Sequence, residues 1–222
     1  MNSFNNTGHS YKVERPTSAC TRNDLTNGNT RMLNHASASG VSLQYRGRLA
    51  VFIDSASLLH AASQLDITID YRKLLEVLIK DAWLVRVMFY TGADPGNDRQ
   101  HGFLVWLQHH GYRVVSKELT CFADGSKKAN LDVEIAVDML SLSSYCDTVL
   151  LLCGNGELSY ALDAVSHRGV RTELVGLRSM TSERLIRLSD VYIDLESISA
   201  QICRENDSTT EHRGVTQSKL RV

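Results

Sequence analysis

At 222 residues and 43% hydrophobic content, the chain has material for one ordinary domain with polar ends. Its formal charge of −1 hides an asymmetry. Residues 1–48 carry six Lys/Arg against two acids, residues 203–222 carry four against three, and the span 49–202 is left at −6. An acidic body of this kind suits solubility as well as it suits a cation-loving centre. Cys20, Cys121, Cys146, Cys153 and Cys203 form no C-x-x-C and meet no His at zinc spacing, which excludes a disulfide frame and a structural zinc site as readings. The opening stretch MNSFNNTGHSYKVERP has no apolar leader core, and no apolar run is long enough to cross a bilayer. A soluble, cytoplasmic protein without a membrane partner is expected.

Residues 1–46 are rich in Asn, Ser, Thr and His and lack periodicity, so they are expected to be a disordered polar arm. Leu49–Ile53 (LAVFI) reads as a buried strand ended by Asp54-Ser55, and Leu58, Leu59, Ala62 and Leu65 follow at helical spacing. Tyr71–Lys80 reads as a second helix, and Leu84–Tyr90 as a strand that stops at Thr91-Gly92. Past a turn at Asp94-Pro95-Gly96, a helix is predicted over Arg99–His110, closed by Gly111, and then a strand over Tyr112–Ser116.

A polar, Gly-containing loop, Thr120–Ala129, leads into a helix predicted over Asn130–Ser144. Val149–Cys153 is an unbroken apolar run, as in a strand buried on both faces. The turn Gly154-Asn155-Gly156-Glu157 interrupts it, and Leu158, Ala161, Leu162 and Val165 resume at helical spacing. A strand over Val170–Gly176, a short helix over Thr181–Leu188 and an edge strand over Val191–Leu195 complete a domain spanning 47–202. Residues 203–222 are expected to be a flexible tail. Strands alternating with helices predict an α/β fold in three layers, a parallel sheet with helices on both faces. No G-x-G-x-x-G follows the first strand and no Walker A lysine motif occurs, so a dinucleotide or P-loop site lacks its phosphate cradle.

In such sheets ligands bind at the carboxyl ends of strands, and three candidate regions sit there. Asp54 ends the first strand, a place that suits a helix N-cap and a ligand equally. On a helical wheel Asp132 lies between Met139 and Ala136, in the middle of the apolar face, where a lone carboxylate is costly without a partner or a cation. Glu134 and Asp138 fall on the opposite, polar arc and read as mainly solvated. In the turn, Asn155 and Glu157 are explained by helix capping as well as by ligation. Lys127 and Lys128 would border a site built by Asp54 and Asp132 and attract a phosphate backbone. Converging oxygens without His or Cys favour Mg²⁺ or Mn²⁺ and, with them, phosphodiester hydrolysis.

Three blocks, VFIDSASLL, KKANLDVEIAVDML and LLLCGNGELSYALDAVSHRGVRTELVG, together resemble the NYN domain of the LabA-like group, over about 48–196. The resemblance implies a PIN-like fold with a four- to six-stranded parallel sheet and a metal-dependent ribonuclease centre. It further implies a role in RNA processing or gene-expression control, with RNA as partner and a regulatory protein as a further one. It assigns Asp54, Asp132 and Glu157 to catalysis and, with Asn155, to the metal. Ser57, Asn155, Lys127 and Lys128 would meet substrate, and Asp138 takes a secondary role. Two positions depart from the family pattern. Ser57 stands where Asn is usual, and the turn reads Asn155-Gly156-Glu157 where Asp-Gly-Asp is usual, so one carboxylate is neutral and one is longer by a methylene. A module that keeps the fold and binds RNA or protein without turnover is the alternative reading. A phosphoacceptor role for Asp54 ranks last, because the acidic pair and late lysine it needs are not visible.

Overall fold

The computed structural model describes residues 46–121 and 127–204. Most of the proposed arm and tail therefore lies outside the described residues. Six strands form one all-parallel sheet: β1 (Arg48–Asp54), β2 (Trp83–Ala93), β3 (Tyr112–Glu118), β6 (Thr148–Leu152), β7 (Arg171–Gly176) and β8 (Val191–Asp194), in the order β3-β2-β1-β6-β7-β8. The two remaining strands, β4 (Thr120–Cys121) and β5 (Lys127–Lys128), pair antiparallel beside it. The chain runs outward from β1 to β3, returns to lay β6 against β1, and then runs outward the other way. The strand order thus reverses between β1 and β6, which is where open α/β sheets open a ligand crevice.

Alternation along the central strands explains the two layers above and below. Leu49, Val51 and Ile53 of β1 and Leu150 and Leu152 of β6 face one core; Ala50, Phe52, Val149, Leu151 and Cys153 face the other. The first core is closed by α1 (Ser55–Gln64), α2 (Tyr71–Ile79) and α3 (Asp98–His109), joined by α7 (Leu195–Ile202). The second is closed by α4 (Asp132–Leu142), α5 (Ser159–Ser166) and α6 (Glu183–Leu188). The all-parallel strands are buried on both faces, so their apolar runs are continuous.

The elements start where side chains can cap them. Asp54, Asp70, Asn97 and Asp194 each accept hydrogen bonds from first-turn N–H groups of α1, α2, α3 and α7. Gly111 takes φ +88° directly before β3, the left-handed conformation that ends a helix without a Cβ penalty.

Four details differ from the sequence reading. Strand β2 continues through Thr91-Gly92 to Ala93, because β3 pairs with it as far as Ala93 beside Glu118. The stretch expected to be an unpaired loop carries the β4–β5 pair at its two ends. A 3-10 turn, Gly156–Leu158, precedes α5. Helix α7 was not expected; Leu195, Ile198 and Ile202 provide its apolar stripe, and it packs on α2.

Arg46, at the edge of the proposed arm, is bound to the domain: its guanidinium donates to Glu173 and to the Leu78 and Lys80 carbonyls. At the other end, Cys203 bridges to Ile69 and Arg204 N–H donates to the Thr68 carbonyl. Among the described residues no helix is long and apolar enough to cross a membrane.

Candidate functional site

Where the strand order reverses, β1 ends in Asp54 and β6 runs into the turn Gly154–Glu157. Asp54 caps α1: its Oδ1 accepts from Ala56 N–H at 3.1 Å and its Oδ2 from Ser57 N–H at 3.3 Å. The Ser57 hydroxyl also donates to Asp54 Oδ2 at 2.6 Å and accepts from Gly154 N–H at 3.2 Å. Ser57 therefore ties the start of α1 to the turn after β6. Cys153 Sγ lies 3.6 Å from both Asp54 Oδ2 and Ser57 Oγ and accepts from Asn155 N–H. Burial, and then the Asp54 charge, push the Cys153 thiol up to about 12, so it stays protonated. The close approach of the 177–181 segment holds the turn: a Cβ on Gly154 would strike the Met180 carbonyl.

Asp132 opens α4, its N–H donating to Asn130 Oδ1 at 2.8 Å. Ile135 and Met139, its wheel neighbours, are buried, and Asp132 itself is half-buried. Its Oδ2 accepts from Asn155 Nδ2 at 2.8 Å, while Asn155 Oδ1 accepts from Glu157 N–H at 3.1 Å. Asn155 is thus fully oriented: its amide nitrogen faces Asp132 and its oxygen is spent on the 3-10 turn. A carboxylate in its place would present like charge to Asp132, so the amide is the reason the two groups can touch without a cation.

These residues converge on a cleft of about 550 Å³, whose wall includes Asp54, Asp132, Asn155, Lys117 and Lys128. Asp54 and Asp132 have no ion-pair partner among the described residues. Ser57 stands behind Asp54 and lines a smaller cavity of about 200 Å³ with His60 and Cys153. Glu157 is exposed on the 3-10 turn and is not in the cleft wall. The backbone of Lys127 lies in β5, but its side chain is outside the described set.

Two acids on α4 read from the wheel as solvated have protein partners instead. Asp138 accepts the Tyr90 hydroxyl at 2.9 Å, and burial together with that carboxylate raises Tyr90 far above its usual value. Tyr90 stands in the cleft wall and Asp138 lies behind it, in a neighbouring trough. Glu134 pairs with Lys117 at 3.0 Å, which lowers its carboxyl. Lys117 also donates to the Asn130 carbonyl at 3.1 Å, fixing the start of α4 against β3. Sequence reasoning missed Lys117 because it ended β3 at Ser116; a lysine at the carboxyl end of a strand was the signal.

Carboxylates thus stand at the switch point of a parallel α/β sheet, with Lys117 and Lys128 in the same wall. Residues 48–196 match the NYN domain family, and the chain belongs to it. It is 31% identical over 159 residues to Low amplitude and bright protein LabA of Synechococcus elongatus, covering 68% of this chain and 85% of that protein. A crystal structure of a Vibrio parahaemolyticus protein of unknown function superposes with a TM-score of 0.63 at 22% identity, over 72% of this chain and 98% of that one. That likeness bears on the fold. Domains of this family are generally RNA-related and generally use divalent metals.

Proposed function

We propose that the chain is a ribonuclease-type protein of weakened metal affinity, acting on RNA with Mg²⁺ or Mn²⁺ in RNA processing or gene-expression control. The observation that carries this reading is the pair Asp54 and Asp132, which share one cleft and have only neutral donors around them.

The donor set fits Mg²⁺ better than it fits a preformed cage. No group of three or more His, Cys, Asp or Glu among the described residues is close enough to hold an ion. Two carboxylates are nevertheless the usual complement where Mg²⁺ keeps its waters and takes substrate phosphate oxygens. Asp54 and Asp132 would hold the cation, which when bound supplies Lewis acidity towards a phosphodiester. Ser57 keeps the Asp54 carboxylate fixed through its 2.6 Å hydrogen bond, and Asn155 does the same for Asp132. Lys128, exposed on the rim and without an ion-pair partner among the described residues, draws the phosphate backbone in. Glu157 sits outside the wall, exposed on the 3-10 turn.

A second reading, an RNA- or protein-binding module without turnover, is favoured by the Asn155–Asp132 hydrogen bond, which satisfies one aspartate oxygen without any ion. Hydrolysis of single-stranded RNA with Mn²⁺, together with Mn²⁺ titration, separates the two. Metal-dependent cleavage by the wild type that disappears in both Asp54→Asn and Asp132→Asn supports the enzyme. Cleavage that survives both substitutions removes the proposed centre. RNA binding with neither cleavage nor Mn²⁺ affinity leaves the module.

A further inference from the structure

We propose that a single strand of RNA leaves the cleft along a track on the α4 side of β2 and β3, held there by Arg86 and Arg113. This rests on the RNA-directed reading of the cleft. The parallel register sets Met88 beside Arg113, Tyr90 beside Val115 and Gly92 beside Lys117. Strand alternation then puts Arg86, Met88 and Tyr90 on one face with Arg113, Val115 and Lys117. Tyr90 and Lys117 are in the cleft wall, while Arg86, Met88, Arg113 and Val115 floor a trough of about 480 Å³. The trough lies next to the cleft, towards the amino ends of the strands, with the Lys117–Glu134 and Tyr90–Asp138 contacts standing between the two.

Arg86 and Arg113 are exposed diagonal neighbours on this face, a placement in which like charges repel. Neither guanidinium has a hydrogen-bond or ion-pair partner among the described residues. On the α4 wall Glu134 is charge-paired with Lys117, while Asp138 accepts the Tyr90 hydroxyl and keeps its charge, so the two arginines outnumber the one uncompensated acid. A polyanion answers these two unpartnered arginines; Lys117, about 13 Å along the strand from Arg113, is already paired with Glu134. The α4 wall also exposes Val133 at 69% and Val137 at 54%. Arginine planes beside exposed apolar surface suit unstacked bases, and the same guanidinia can meet phosphates. Only an unpaired strand has base faces free for this.

The test is fluorescence anisotropy of a labelled, unstructured single-stranded RNA against the full chain over a range of salt, with thermal unfolding and Mn²⁺ titration as controls. In Arg86→Ala/Arg113→Ala, Kd is expected to rise about tenfold or more, and the log–log salt slope to fall by about 1.4, the value for two lost phosphates. The unfolding midpoint and Mn²⁺ binding are expected to stay as in wild type. Val133→Glu, which sets a negative charge on an exposed position of the wall, weakens binding independently if the strand passes there. Wild-type RNA binding that neither variant changes overturns the track and leaves the cleft's RNA reading standing. No RNA binding by wild type overturns that reading and the track with it. Arginine-dependent capture of polyglutamate in place of RNA assigns the trough to an acidic protein segment and overturns the proposal.

Discussion

Towards the amino ends of the strands, Glu173 is buried between Arg46 at 2.6 Å and Arg171 at 3.0 Å, and Asp147 is paired with Arg48 at 2.9 Å. At the carboxyl ends, Asp54 and Asp132 meet backbone N–H groups, a hydroxyl, a thiol and an amide, all of them neutral. The same residue type is thus finished electrostatically at one end of the sheet and left charged at the other. Hydrogen bonds satisfy the oxygens of a carboxylate without cancelling its charge, and a cleft lined by two such groups concentrates negative potential. The lower end holds the fold together; the upper end keeps its negative charge.

The largest effect should come from breaking the lower end. Arg46→Ala removes the cation nearest Glu173, whose side chain is 3% exposed, and should cost about 3 kcal/mol of unfolding free energy. A chemical-denaturation loss below about 1 kcal/mol would mean that Arg171 alone suffices and the contrast is weaker than drawn.

Next, Asn155→Asp brings a carboxylate to the Asp132 oxygen that now receives the amide. Without metal the variant should lose about 1–2 kcal/mol. Mn²⁺ should then raise its melting temperature more than it raises that of wild type. Equal shifts in the two proteins would place the turn outside the cation site.

Asp54→Asn should lower Mn²⁺ affinity by at least tenfold in calorimetry, yet change stability by less than about 1 kcal/mol, because Asn caps α1 as well as Asp does. A large stability loss with unchanged Mn²⁺ affinity would make Asp54 a cap and nothing more.

The smallest effect concerns Asp147, whose carboxyl is held down at about 2 by hydrogen bonds from Arg48. A pKa depressed in the folded state adds stability that is complete above the ordinary value of 3.8 and is lost as pH falls from there through about 2. Asp147→Asn should therefore be slightly less stable than wild type at neutral pH and converge with it as pH falls through about 2, so that its acid limb is flatter over that window. An identical acid limb in the variant would show that the pair, with both side chains about half exposed, is screened by solvent.

How much of this was legible follows from what a one-dimensional pattern contains. Strand ends are visible as the break between an apolar run and a polar turn, so Asp54 and the 154–157 turn could be placed at one sheet edge. The period of α4 likewise put Asp132 on the inner face. A wheel gives an angle about one helix axis and no neighbour across it. Asp138 therefore read as solvated, although β2 brings the Tyr90 hydroxyl to it. The Glu134 partner of Lys117 and the solitude of Arg113 were out of reach for a related reason, since both depend on which element lies beside which. The role of Ser57 as a tie between α1 and the β6 turn also needs the β1–β6 pairing, which no local signal records.

That tie has a consequence for how the chain becomes competent. Ser57 and Gly154 stand 97 residues apart, so the latch between them forms only after a loop of that length closes through the β1–β6 pairing. Contacts of such separation are slow to form, and the strands on both sides must be in register first. A nascent chain that has emerged through α4 already carries both aspartates but lacks the amide that orients Asp132 and the N–H that donates to Ser57. Synthesis at about 5–20 residues per second therefore sets an interval during which both aspartates are made and neither contact to the β6 turn can form. The Ser57–Gly154 and Asn155–Asp132 contacts both wait on β6 docking at the centre of the sheet.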